Sequence, residues 1–219
     1  MRAFAKLTIG IAVLAAAGPA GAARPLATED AWTLGPERFE FEAAYEHATA
    51  GEHGMGAALK AGVAGRLDVG VAVPYRLRPD PAFCPADVSL KFGVAKGNGE
   101  GGGWPVAVAF TQCTGEGTWR TALAASRVAG RVTAHANAGW RSGPGGSGGS
   151  AVWAVALELA VLEGVVLVQE VVGAGGAVDA LAGARWSTVA DVAVDAGARI
   201  GLGSGNAARR TVLGLTLAF

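Results

Sequence analysis

The stretch Leu67-Asp68-Val69-Gly70-Val71-Ala72-Val73-Pro74-Tyr75-Arg76-Leu77 sorts its side chains by parity. Leu67, Val69, Val71, Val73, Tyr75 and Leu77 are apolar, whereas Asp68, Gly70, Ala72, Pro74 and Arg76 are small or charged. Successive side chains of a strand point to opposite faces, so this segment has one greasy face and one polar face. A helix would scatter both sets around its circumference. The same rule holds along most of the chain. Phe39, Phe41, Ala43 and Tyr45 oppose Glu40, Glu42 and Ala44. Val88, Leu90, Phe92 and Val94 oppose Asp87, Ser89, Lys91 and Gly93. Trp104, Val106, Val108 and Phe110 oppose Ala107, Ala109 and Thr111. Val132, Ala134, Ala136 and Trp140 oppose Thr133, His135, Asn137 and Arg141. Trp153, Val155, Leu157 and Leu159 oppose Ala154, Ala156 and Glu158, and Val194, Ala196, Ala198 and Ile200 oppose Asp195, Gly197, Arg199 and Gly201. Segments near 54–64, 117–129, 164–173 and 177–187 alternate less clearly, and spacing and flanking turns predict strands there too.

The connections between these strands alternate in length. Gly65-Arg66, Gly130-Arg131 and Glu163-Gly164 are tight, whereas 78–86, 142–150 and 203–208 are longer. The glycine-rich connection 96–103 is the exception, being long on the short side. Short turns on one side and longer loops on the other suit a membrane barrel with its turns in the periplasm. Half of the residues are hydrophobic (51%) and 35 of the 219 are glycine, yet after the N-terminus no segment is long and apolar enough for a transmembrane helix. A barrel with a lipid-facing apolar side and a lumen of small and polar residues accounts for both facts.

The first residues look like an export signal. Arg2 and Lys6 precede an apolar run, Leu7 to Ala17, and Ala20-Gly21-Ala22 or Gly21-Ala22-Ala23 fits a small-x-small cleavage site. Residues 1–23 are therefore predicted to be a cleaved signal peptide. Residues 24–37 form a periplasmic N-terminal segment, and 38–219 form an all-β, transmembrane, antiparallel up-and-down barrel of about twelve strands. The chain carries 18 basic and 18 acidic side chains. Loss of Arg2 and Lys6 leaves the remainder slightly acidic, which argues against a nucleic-acid partner.

The end of the chain carries its own signal. Leu213, Leu215, Leu217 and the terminal Phe219 share one face. A long apolar edge exposed in a soluble protein would invite aggregation. Such a closing strand resembles the recognition signal for outer-membrane assembly machinery, which implies that machinery and outer-membrane lipids as partners. Aromatic placement agrees with two interfacial girdles: Phe39, Trp104, Trp186 and Phe219 near one rim, and Tyr45, Tyr75, Trp119, Trp140 and Trp153 near the other.

Residues Arg24 to Gly35, Phe39-Glu40-Phe41-Glu42, Val194 to Ala198 and Leu215 to Phe219 resemble a family of bacterial outer-membrane proteins named for the meta-cleavage pathway of phenol degradation. The resemblance implies a transporter or channel for small, hydrophobic or aromatic molecules, with no catalytic motif to carry over.

The inward positions predict a charged lumen. Its acids are Glu40, Glu42, Glu46, Asp68, Asp87, Glu158, Glu170 and Asp195. Its bases are Lys60, Arg76, Lys91, Arg120, Arg141, Arg185, Arg199 and Arg210, with His135 beside them. One reading is a polar pore for a small solute. The alternative is a structural or interaction barrel with a closed, salt-bridged lumen, because buried charges must be paired. The many inward glycines and alanines leave space and favour a passage. Ser126, His135 and Asn137 fall on neighbouring strands, but no nucleophile motif accompanies them, and an inward histidine is remote from lipid substrate, so no enzyme is expected. His47 and His53, beside Glu46 and Glu52, are too few for a built metal site, and no cofactor motif is present.

Two further expectations follow from the strand map. Residues 24–37 are expected to cover or enter the lumen through Glu29, Asp30 or Trp32, against the alternative of a disordered tail. Cys84 and Cys113, the only cysteines, flank consecutive antiparallel strands at the outer rim, and an oxidising periplasm makes them a disulfide candidate.

Overall fold

The computed structural model describes residues 26–49, 51–97, 103–189, 191–203 and 209–219. The signal peptide expected at 1–23 lies outside them, as does most of the 96–103 connection and of the 203–208 loop. Among the described residues there are thirteen strands and one short 3-10 turn at Pro144–Gly146. The strands are β1 (Phe39–Ala48), β2 (His53–Ala64), β3 (Leu67–Arg78), β4 (Ala82–Phe83), β5 (Asp87–Ala95), β6 (Val106–Cys113) and β7 (Trp119–Ala129). They continue with β8 (Val132–Ser142), β9 (Gly149–Leu162), β10 (Val165–Ala174), β11 (Ala177–Val189), β12 (Val192–Gly201) and β13 (Arg209–Ala218).

Every pairing is antiparallel, and β1 pairs with β13 from Glu40↔Ala218 to Ala48↔Arg210, so the sheet closes on itself. Twelve strands make the ring. The two-residue β4 stands apart and pairs only with the end of β3, Tyr75↔Phe83 and Arg76↔Ala82. Closure leaves no sheet edge to template aggregation. The C-terminal residue helps to lock it. Phe39 N–H donates to the Phe219 carbonyl at 2.8 Å, Phe219 N–H donates to the Phe39 carbonyl at 2.9 Å, and the two rings stack 5.8 Å apart. The end holding Phe39 and Phe219 is here the terminal rim, and the opposite end the loop rim.

The four weakly alternating segments are strands β2, β7, β10 and β11. Two details differ from the sequence reading. Trp104 precedes β6, because Pro105 beside it has no N–H to give to a ladder. Loop length also alternates less strictly, because Gly175-Gly176 makes a two-residue turn at the loop rim. Both glycines have positive φ, 56° and 91°, which a turn of that kind demands.

The parity rule becomes a physical boundary. On β9, Trp153, Val155, Leu157 and Leu159 are exposed while Ala154 and Ala156 between them are buried. Leu90, Phe92, Val108, Leu123, Val194 and Leu213 repeat this around the ring. An apolar surface this large and continuous is incompatible with water and matches a lipid bilayer. Trp104, Trp186, Phe39 and Phe219 stand exposed at the terminal rim, and Trp140, Trp153 and Phe83 at the loop rim. Replacement of Leu157, at the middle of β9, by arginine should cost about 2–4 kcal/mol, and the same change at Leu162 on the rim about 0–1. Urea titration of barrels refolded into phospholipid vesicles measures both. Equal costs at the two depths would contradict this placement of the membrane.

Candidate functional site

The lumen is crossed by the chain's own N-terminal residues. Residues 26–37 run inside the ring from the β9–β11 wall to the β2–β3 wall, and are here called the strap. Leu26 packs on Ala156, Val168 and Leu181. The Thr28 N–H and hydroxyl both donate to Glu170 Oε1, at 2.6 and 2.5 Å. Glu29 N–H donates to Asn137 Oδ1 at 2.7 Å, and Asn137 Nδ2 donates to the Glu29 carbonyl at 2.8 Å. Ala31 N–H donates to Ser126 Oγ at 2.9 Å, and its methyl packs on Ala107 and Ala124. The Trp32 ring stands edge-on to His135, with centroids 5.7 Å apart. Leu34 N–H is shared by both Asp68 oxygens at 3.1 Å, and Glu37 N–H donates to the Gly62 carbonyl. A Cβ on residue 62 would overlap the Gly35 carbonyl oxygen, so only glycine allows the strap to leave the lumen there.

The small inward residues therefore have a different role from the one expected. Ala107, Ala124 and Ala156 do not leave an empty passage; they make room for the strap. Beside it, between Leu26, Thr28, Lys60, His135 and Glu158, lies a void of about 10 Å³, space for one water at most.

The charged residues form clusters on the wall. Lys60 on β2 pairs with Glu40 and Glu42 on β1 at 3.0 and 2.9 Å. Arg210 on β13 pairs with Glu46 on β1 at 2.9 Å. Arg185 on β11 reaches Asp195 on β12 at 2.9 Å and Glu158 on β9 at 3.1 Å. Arg199 on β12 meets Glu170 Oε2 at 3.2 Å, so one carboxylate ties the wall to the strap. Lys91 and Arg120 face the strap's own acids. Lys91 Nζ lies 3.2 Å from Asp30 and 3.8 Å from Glu29, and Arg120 Nη2 lies 3.7 Å from Glu29.

Above the strap, towards the loop rim, a vestibule of about 610 Å³ opens. Ala27 contributes to its floor, and its wall carries Arg76, Arg120, Arg141 and Arg199 together with Asp87, Glu116 and Asp179. Cys84 and Cys113 both line it, but as free thiols. The disulfide expectation is corrected, and the physical reason is β4. Residues 82–83 fold back onto β3, and Cys84 N–H donates to the Pro74 carbonyl, whereas Cys113 is held across from Asp87 and by the Thr118 carbonyl.

Ser126 and His135 do meet, with Ser126 Oγ 2.9 Å from His135 Nδ1 and Glu158 3.7 Å from His135 Nε2. The order resembles that of a hydrolytic triad. Ser126 is fully buried, however, and its oxygen already accepts Ala31 N–H. His47 and His53 are directly opposed across β1 and β2, with their Nδ1 atoms 3.3 Å apart and the Tyr45 hydroxyl 2.6 Å from His53.

No family model matches this sequence, and no curated protein does. Solved structures do. The KdgM porin superposes with a TM-score of 0.64 at 9% identity, over 82% of this chain and 99% of that one. An outer-membrane channel from Pseudomonas putida F1 superposes with a TM-score of 0.58 at 12% identity, over 87% and 98%. This chain shares the closed antiparallel β-barrel fold of these outer-membrane proteins. The barrel also shares its fold with outer membrane phospholipase A from Escherichia coli, with a TM-score of 0.53 at 12% identity, over 85% and 92%. At such identities the likeness concerns the fold, and chemistry must come from the site.

Proposed function

We propose that the barrel is a channel for a small solute, entered from the vestibule and gated by the strap. The observation that carries this reading is an open vestibule of about 610 Å³ that ends at a strap hydrogen-bonded to several strands of the wall. A purely structural barrel has no need of such a mouth. The porin and channel folds that superpose on it support the same reading. The sequence likeness to the phenol-pathway family at both ends points to aromatic or hydrophobic solutes. The termini are assigned to the periplasm, with 1–23 as an export signal and 24–37 as a periplasmic segment that docks in the lumen. Leu213, Leu215, Leu217 and Phe219 are assigned as the assembly signal.

A hydrolase is the poorer reading of Ser126, His135 and Glu158. With its nucleophile buried under the strap, this trio serves to hold Ala31 and Trp32. The alternative of a closed, salt-bridged barrel has one observation in its favour, the ion pairs that already satisfy much of the lumen wall. Planar-bilayer recordings separate the two. Purified full-length protein is expected to give discrete conductance steps with frequent closures. Complete electrical silence, together with no swelling of liposomes in any small solute, would overturn the channel.

A further inference from the structure

Arg120 and Arg141 are cross-strand neighbours on β7 and β8, and both line the vestibule. Two like charges directly opposite on one sheet face repel, a cost that persists unless an anion lies between them. The other bases of the vestibule are engaged. Arg199 holds Glu170, and Arg76 Nε donates to the Asp80 carbonyl at 2.8 Å. Asp87 interacts electrostatically with both Arg120 and Arg141, but among the described residues no carboxylate lies at ion-pair distance from Arg141. Among the described residues the carboxylate at ion-pair distance from Arg120 is Glu29, at 3.7 Å. The other oxygen of Glu29 lies 3.8 Å from Lys91. Both separations exceed a charge-assisted hydrogen bond, so Glu29 sits between two cations, Arg120 and Lys91, without bonding tightly to either. Its backbone, by contrast, is bonded closely to Asn137 at 2.7 and 2.8 Å.

We infer that Arg120 and Arg141 form a carboxylate-binding site in the wall of the vestibule, that the strap's own Glu29 holds the Arg120 side of it in this state, and that the solute is a small organic anion. The fork of a guanidinium matches a carboxylate in a way a neutral solute cannot exploit. An arriving carboxylate competes with Glu29 for Arg120, so binding loosens the strap from the β7 side of the lumen. As a statement about what crosses the membrane this rests on the channel reading; as a statement about what binds, it is tested separately.

Calorimetric titration of the full-length barrel in detergent with benzoate, and with benzamide as its neutral counterpart, provides the test. Benzoate is expected to bind and benzamide not to. Arg120→Gln and Arg141→Gln should each weaken benzoate binding about tenfold, the loss of one hydrogen bond to a charged group. Glu29→Gln should tighten it, because the internal competitor has lost its charge. Heat-modifiable migration on gels checks that each variant is folded. If an arginine variant does not fold, Glu29→Gln, which leaves the wall intact, still decides. Equal binding of benzoate and benzamide, or weaker benzoate binding in Glu29→Gln, would overturn the anion site. Benzoate binding in a barrel that never conducts would retain the site and remove the channel.

Discussion

Removal of residues 26–34 is expected to raise single-barrel conductance several-fold and to abolish its closures. The ring does not depend on these residues, because β1 begins at Phe39 and is stapled to Phe219 by two backbone hydrogen bonds. What depends on them is the filling of the lumen. Without the strap, Glu170, Asp68, Ser126 and Asn137 lose the hydrogen bonds it makes to them, which water can replace in a flooded pore. The energetics are compatible with a gate. About six hydrogen bonds, several to carboxylates at about 1.5–3 kcal/mol each, contribute of order 10 kcal/mol. Ordering nine backbone residues at about 1–2 kcal/mol each opposes them by a similar amount. A near balance permits the strap to leave and return. Planar-bilayer recordings of the truncated and full-length barrels give the answer, and identical conductance would mean that the strap does not control the path.

The fold was legible because most strands obey a clear period of two and the lipid side of each must be apolar. Leu67 to Leu77 displays its face assignment before any partner is known, and the pairing then follows from sequence order alone. The charged inward positions were readable by the same parity. Their partners were not: Arg185 reaches Glu158 across an intervening strand, and Thr28 reaches Glu170 over 142 residues of sequence. Nothing local encodes such contacts. One signal was nonetheless available. Alanines stand at consecutive inward positions of neighbouring strands, Ala107 and Ala109 on β6, Ala122 and Ala124 on β7, and Ala154 and Ala156 on β9. A water-filled wall has no need to be uniformly small, and this patch is where Leu26 and Ala31 dock. The free thiols of Cys84 and Cys113 were hidden for a related reason. Strand order placed both at one mouth, but a two-residue strand in a proline-rich loop, folded back onto β3, has no periodicity to reveal it.

Replacement of Arg185 by leucine should be the most destabilising single change on the lumen wall, at about 3–5 kcal/mol. Its guanidinium lies 2.9 Å from Asp195 and 3.1 Å from Glu158, and the Asp195 side chain is wholly shielded from solvent. Leucine removes the cation and leaves two carboxylates in place. A buried pair is not strongly stabilising against an apolar replacement of both partners, but half of it is costly, because the remaining charge keeps its desolvation penalty without its counter-ion. The double variant Arg185→Leu with Asp195→Leu should therefore recover much of the loss, although it removes one more native interaction. The Asp195 side chain is wholly shielded whereas that of Glu158 is partly exposed, which makes Asp195 the partner whose removal matters. The measurement is equilibrium unfolding in urea from vesicles, followed by the exposed tryptophans. A single variant as stable as the parent, or a double variant less stable than the single, would show that this network does not act as a charge-compensated unit.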